Sequence, residues 1–166
     1  MSTFNLYLIR HGLAGQHGDY ENDRDRPLTE EGKRKTRQVA DRFSSLELKF
    51  DLILTSPLVR AKQTAEILQE VGLSKHLEEA AYLAPGGDLQ TWLDWLEDWK
   101  ESKKSLALVG HEPDLSAWAE TLIWGNAQSK LILKKAGAIG LTLPLSGSPI
   151  AYSQLFWLTP PRFFTA

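Results

Sequence analysis

The sequence predicts an α/β fold, and three stretches predict it. Apolar, β-favouring residues run from Asn5 to Ile9 and stop at Arg10, His11 and Gly12, the pattern of a buried strand. Asp51-Leu52-Ile53-Leu54-Thr55 is a second such run, followed at once by Ser56-Pro57 and a helical pattern. Ser105-Leu106-Ala107-Leu108-Val109 is the third; it ends in Gly110-His111-Glu112-Pro113, and a helix is expected from the proline onward. Open α/β sheets place ligands at the carboxyl ends of their strands, where these polar residues fall.

The 166 residues suit one domain, taken as 1–166, with a core of useful size. A hydrophobic content of 42% and a charged content of 24% are those of a globular chain. A formal net charge of -2 gives no basic field for nucleic acid. No apolar run approaches the ~20 residues that cross a bilayer, and Met1 to Asn5 lacks the basic start of a signal peptide. The absence of cysteine excludes disulfides, thiolate catalysis and cysteine-ligated zinc, and fits a cytoplasmic protein.

Taken in order, the first strand delivers Arg10, whose planar donor fork suits a phosphoryl group or a carboxylate. Next to it His11 offers a nitrogen that is neutral and nucleophilic near neutral pH. Gly12 removes a side chain beside the imidazole and lets the backbone turn. The following loop, Gln16 to Arg26, alternates Asp19, Glu21, Asp23 and Asp25. It lacks the glycine and glutamate of a calcium loop, so it reads as solvated.

Thr29 is placed to cap a helix whose first turn holds Glu30 and Glu31. Val39, Ala40 and Phe43 form its inner face, and Lys33, Arg34, Lys35, Arg37 and Arg42 a basic outer face, solvated or able to meet an acidic partner. After the second strand, Ser56 is expected to cap and Pro57 to open a helix carrying Leu58, Ala61, Ala65 and Leu68 on one stripe. Arg60 in its first turn opposes the helix dipole, which points to an anion as its partner.

Ala80 to Leu83 reads as an extended piece, and Asp88 as the N-cap of a helix bearing Trp92, Trp95, Leu96 and Trp99. His111 then arrives at a sheet edge and a helix N-terminus, favourable for an anion. Trp118, Leu122 and Ile123 are expected to anchor that last helix. Ala138 to Leu143 and Ala151 to Leu158 read as a hairpin across Ser146-Gly147-Ser148-Pro149. Phe163 and Phe164 in the tail are assigned to packing.

Five motifs in this order resemble the histidine phosphatase superfamily, the phosphoglycerate-mutase-like proteins, and look most like its short SixA-type phosphohistidine phosphatases. They are Leu8-Ile9-Arg10-His11-Gly12, Arg26-Pro27-Leu28-Thr29-Glu30-Glu31-Gly32, Thr55 to Ala65, Leu83-Ala84-Pro85-Gly86-Gly87-Asp88, and Val109-Gly110-His111-Glu112-Pro113. The resemblance implies a three-layer α/β/α sandwich around a mostly parallel central sheet. It implies that His11 is the nucleophile, that Arg10 and Arg60 hold the phosphoryl oxygens, and that His111 is the second pocket histidine. Arg26 falls at the rim, and Gly12 and Asp88 join it as candidate substrate-binding residues. No metal or cofactor is expected.

The chemistry of these residue types agrees. A phosphoryl group in transfer spreads charge over its equatorial oxygens, so fixed donors do most of the work. His11 must be neutral on its attacking nitrogen, with the other nitrogen expected to donate to a backbone carbonyl. Family members acting on alcohol phosphates carry a glutamate acid after the second helix; here Glu78 and Glu79 come earlier and the later position has none. An alkoxide needs a proton strongly, a phosphorylated imidazole less so. Asp88 could supply that proton or only cap its helix. The expectation is therefore phosphohistidine hydrolysis on a protein such as a histidine phosphotransfer domain. A small-molecule phosphomonoesterase or mutase and a non-enzymatic phosphate-binding protein stand as alternatives.

Overall fold

The computed structural model describes residues 2–165. Met1, where the N-terminal segment read above begins, and Ala166, where the tail ends, lie outside them. Six strands form one sheet: β1 (Thr3–Arg10), β2 (Leu52–Thr55), β3 (Leu77–Glu79), β4 (Ser105–Gly110), β5 (Ala138–Pro144) and β6 (Gln154–Thr159). Their spatial order is β3-β2-β4-β1-β5-β6. The first four pair in parallel, β5 pairs antiparallel with β1, and β6 antiparallel with β5, so the sheet is mixed with a four-stranded parallel part.

Four helices cover it: α1 (Glu30–Ser45), α2 (Val59–Glu70), α3 (Leu89–Trp99) and α4 (Asp114–Trp124). Alternate residues of a strand face opposite sides, and β1 shows the consequence. Leu6 and Leu8 pack with Trp92 and Leu96 of α3 and with Leu115, Trp118 and Leu122 of α4. Tyr7 and Ile9 pack with Val39, Ala40 and Phe43 of α1 and Ala61, Ala65 and Leu68 of α2. Two cores on two faces of one sheet make the three-layer α/β/α sandwich.

Local chemistry sets the helix starts. Thr29 accepts from Gly32 N–H at 2.9 Å, and Asp88 accepts from Thr91 N–H at 3.1 Å; each satisfies a donor that the first turn leaves open. In α1 the buried positions Gly32, Thr36, Val39, Ala40 and Phe43 recur every three or four residues, and full burial of Phe43 contributes roughly 1.5–3 kcal/mol.

Four expectations need correction. The helix after β2 starts at Val59 with no side-chain cap; Ser56 Oγ accepts from Leu58 N–H within the preceding turn instead. The extended piece is Leu77–Glu79, one turn earlier than read, and Ala81–Leu83 is a 3-10 turn. The hairpin forms, but residues 151–153 belong to its connection rather than to β6. In the tail only Phe164 packs, against Phe43 and Trp157 at 5.2 and 5.4 Å, whereas Phe163 is 65% exposed.

A candidate phosphoryl-transfer site at the strand ends

Strands β1 and β4 are parallel neighbours with Arg10 opposite Gly110. His11 and His111 therefore leave the sheet at the same level, and His11 N–H donates to Gly110 C=O at 3.1 Å. Their rings lie 5.1 Å apart, centroid to centroid. Both are buried, at 5% and 3% exposure.

His11 Nδ1 lies 2.7 Å from the carbonyl of Gly12. A carbonyl can only accept, so Nδ1 carries the hydrogen and Nε2 keeps its lone pair. Burial pushes the His11 pKa down to about 3; the Gly12 bond opposes this, and His111, Arg60 and Arg10 add to it. The ring is neutral over the physiological range.

Gly12 holds this arrangement through close approach rather than through an unusual turn. A Cβ there would stand 2.3 Å from Thr36 Oγ1 and 3.3 Å from Gly32 C=O. Its N–H donates to Thr64 Oγ1 at 3.0 Å, so the amide of this candidate substrate-binding residue is already engaged. Thr64 in turn donates to Arg60 C=O at 2.8 Å, which ties the turn after His11 to the first turn of α2.

His111 is anchored through the opposite nitrogen. Its Nε2 lies 2.7 Å from Ser56 Oγ. Ser56 Oγ accepts from Leu58 N–H at 3.2 Å, so its hydroxyl hydrogen is free to go to Nε2, and the ring hydrogen then sits on Nδ1. Burial, followed by the Arg60 charge, brings the His111 pKa down to about 4.

Arg10 Nη1 donates to Leu133 C=O at 3.0 Å, in the irregular segment before β5. Burial pushes its pKa down and Glu112 draws it back up. Arg60 is 4% exposed and donates through Nη1 to Asp23 C=O at 2.9 Å and through Nη2 to Asp23 Oδ2 at 3.0 Å. Arg26 donates through Nε to Asp23 Oδ1 and through Nη1 to Gly15 C=O, both at 2.9 Å. The anion that Arg60's position points to is thus supplied in part by the chain itself. Burial raises the Asp23 pKa, but Arg26 and Arg60 outweigh it and leave the carboxyl below its usual range.

Among the described residues, five buried side-chain nitrogen or oxygen atoms have no hydrogen-bond partner. Three belong to this cluster: Arg10 Nε, Arg60 Nε and His111 Nδ1. Buried polar groups are otherwise almost always satisfied, so donors left open around a neutral imidazole mark a place for an oxyanion.

Of the residues singled out by sequence, Arg10, His11, Gly12, Arg60 and His111 converge here, and Arg26 joins them through Asp23. Asp88 does not: its carboxylate is engaged by Thr91 N–H and, at 3.0 Å, Thr91 Oγ1. Sequence reasoning missed Asp23, Ser56, Thr64 and Lys135. Asp23 was hidden in a run of loop carboxylates, and Ser56 was assigned to a cap. Lys135, on the segment that holds Arg10, carries a pKa lowered first by partial burial and then by the charges of Arg10 and Arg26.

Two histidines and two arginines thus gather at the ends of parallel strands in an α/β sandwich. Residues 6–118 match the histidine phosphatase superfamily (branch 1), and the chain belongs to that family. It is 47% identical over 163 residues to an uncharacterized protein of Picosynechococcus sp. (strain PCC 7002), covering 95% of this chain and 97% of that one. It is 32% identical over 171 residues to the mitochondrial serine/threonine-protein phosphatase Pgam5 of Drosophila ananassae, covering 90% of this chain but only 58% of that protein. Among solved structures it resembles the protein histidine phosphatase SixA complexed with tungstate, at a TM-score of 0.84 and 25% identity, over 96% of this chain and 99% of that one. The same fold is shared by a putative α-ribazole-5'-P phosphatase from Escherichia coli K-12, at a TM-score of 0.73 and 16% identity, over 93% and 95% of the two chains.

Proposed function

We propose that the protein is a phosphohistidine phosphatase acting on a phosphorylated protein, with His11 as the nucleophile. His11 Nε2 attacks phosphorus in line. The Nε2–P bond forms as the P–N bond to the substrate imidazole breaks, and that ring, protonated on its other nitrogen, leaves neutral. Water then attacks the phosphoenzyme, the Nε2–P bond breaks, and orthophosphate and neutral His11 result. Arg10, Arg60 and His111 Nδ1–H hold the equatorial oxygens throughout. Two guanidinium groups beside the reacting phosphorus supply the positive charge that such a transfer needs, which supports a metal-independent reaction.

The observation that carries the substrate class is the state of the carboxylates. Asp23 is held by Arg26 and Arg60. Glu112 accepts from Ser116 N–H at 2.9 Å and from its hydroxyl at 2.6 Å. Asp114 accepts from Gly86 N–H at 2.8 Å, Glu79 pairs with Lys62 at 2.7 Å, and Asp88 caps α3. Each is committed to a partner within the chain, and Arg26 and Arg60 hold the Asp23 carboxyl below its usual range, the opposite of what a general acid at neutral pH needs. A leaving group that brings its own proton fits such a site, and an alkoxide does not.

The similarity to the protein histidine phosphatase SixA supports this reading; a histidine phosphotransfer domain as partner and the cytoplasm as setting are part of the same proposal. The similarity to Pgam5, a serine/threonine-protein phosphatase by name, favours a second one, hydrolysis of phosphoserine or phosphothreonine in a protein. A panel of a phosphorylated histidine phosphotransfer domain, a phosphoserine peptide, an aryl phosphate and a sugar phosphate decides. The first is expected to have the highest kcat/KM. A wide preference for the phosphoserine peptide would establish the second reading, and one for the sugar phosphate would return the protein to the small-molecule enzymes.

A further inference from the structure

Among the described residues, α1 and the segment before β5 each carry a cluster of cations, and the two differ in how their charge is met. On α1, Lys33 pairs with Glu30, Arg34 and Lys35 with Glu31, and Arg37 with Glu70. That face is largely neutralised by its own carboxylates. The irregular segment between α4 and β5 carries Lys130, Lys134 and Lys135, all exposed. Among the described residues none of the three forms an ion pair.

This segment has no regular structure, yet it is firmly held. The carboxylate of Glu120, 1% exposed, accepts from the N–H groups of Gln128 and Lys130 at 3.3 and 3.0 Å. Leu133 C=O receives Arg10 Nη1, and Ala136 N–H donates to the carbonyls of Arg10 and His11 at 3.0 and 3.1 Å. Ile132 stands out from it at 70% exposure. A groove of about 300 Å³ runs beside it, lined in part by Pro113, Ala117, Leu131 and Leu133, and Arg10 forms part of its wall. Glu112 and Glu120 also line it, but both are engaged, Glu112 by Ser116 and Glu120 by the segment itself. Unpaired cations and an exposed branched side chain on a prearranged support, sharing a wall with the catalytic cup, have the attributes of a recognition surface.

We propose that this segment and its groove dock the protein that presents the phosphoryl group, and that the partner meets them with an acidic segment carrying an apolar side chain for Ile132. The inference rests on the phosphoprotein reading above and adds the chemistry of the partner's contact surface.

Two synthetic peptides of equal length test it, each with one N-phosphorylated histidine and one leucine, flanked by glutamates in one and by lysines in the other. The acidic peptide is expected to have a kcat/KM about tenfold higher at low salt, an advantage that shrinks as salt screens it. The double variant Lys130→Glu/Lys134→Glu should invert the preference. Ile132→Asp should lower turnover of the acidic peptide. Hydrolysis of phosphoramidate, too small to reach the segment, should stay within about twofold in both variants, since rim charges act on encounter and not on chemistry. Equal kcat/KM for the two peptides in the unaltered protein, or an equal loss on phosphoramidate in the variants, would overturn the proposal. Binding of the unphosphorylated peptides keeps the two readings apart. A preference for the acidic one that the double variant removes supports the surface whatever the chemistry, and no preference overturns it. No turnover of either phosphohistidine peptide by the unaltered protein overturns the proposed function alone.

Discussion

His11 and His111 occupy equivalent places on adjacent parallel strands, yet they are fastened by different atoms. His11 is held by Nδ1 through the carbonyl of the next residue, which leaves Nε2 as a lone pair. His111 is held by Nε2 through the hydroxyl of Ser56, fifty-five residues away, which leaves Nδ1 without a partner. The same side chain at the same height thus presents a lone pair from one strand and an N–H from the other, which suits the proposed roles of nucleophile and donor. Burial keeps both neutral; the neighbour that takes the other nitrogen decides which role each has.

The largest test of this contrast is His11→Ala, expected to reduce turnover by on the order of 10⁵-fold while circular dichroism shows an intact fold. Mid-turnover denaturation should trap an acid-labile, base-stable phosphoryl group in the unaltered protein and none in this variant. Next, His111→Ala should cost about 100–1,000-fold and still yield the trapped phosphoryl group, since only a donor is lost; loss of trapping would make the two histidines equivalent.

A third test is the pH profile. Folded pKa values of about 3 and about 4 lie below the ordinary imidazole value of 6.5. The acid limb of kcat/KM for an aryl phosphate should therefore fall near pH 4 rather than 6.5. Stability has a matching sign. Both rings are depressed, so the unfolded chain takes up protons first. Their contribution is complete above pH 6.5 and is lost as pH falls toward 4 and then 3, which chemical denaturation at stepped pH will show. The smallest expected effect belongs to Ser56→Ala, about fivefold in kcat for one lost hydrogen bond, with the His111 titration moved while His11 trapping is unchanged.

Much of this was legible in the chain because it is local. Thr29 and Asp88 cap the helices they precede, and the stripe from Leu58 to Leu68 faces the core, since caps and stripes depend on neighbours three or four residues away. Arg10, His11, Arg60 and His111 were legible because strand ends converge in a parallel sheet. Ser56 was misassigned for a related reason: a serine before a proline does look like a cap, and nothing nearby reveals that a distant imidazole claims its oxygen. Asp23 was invisible among alternating loop carboxylates, because its partner Arg60 is thirty-seven residues ahead. The hold of Leu133 on Arg10 runs through a backbone carbonyl, a contact that no side-chain pattern encodes.

Asp23 has one more consequence. Since Asp23 already grips Arg60 by two bonds, one to its backbone carbonyl and one to its carboxylate, an incoming oxyanion enters an occupied guanidinium and gains only the difference between two partners. In the proposed reaction, orthophosphate left after hydrolysis would face the same competitor, and inhibition of turnover by added orthophosphate is expected to be shallow.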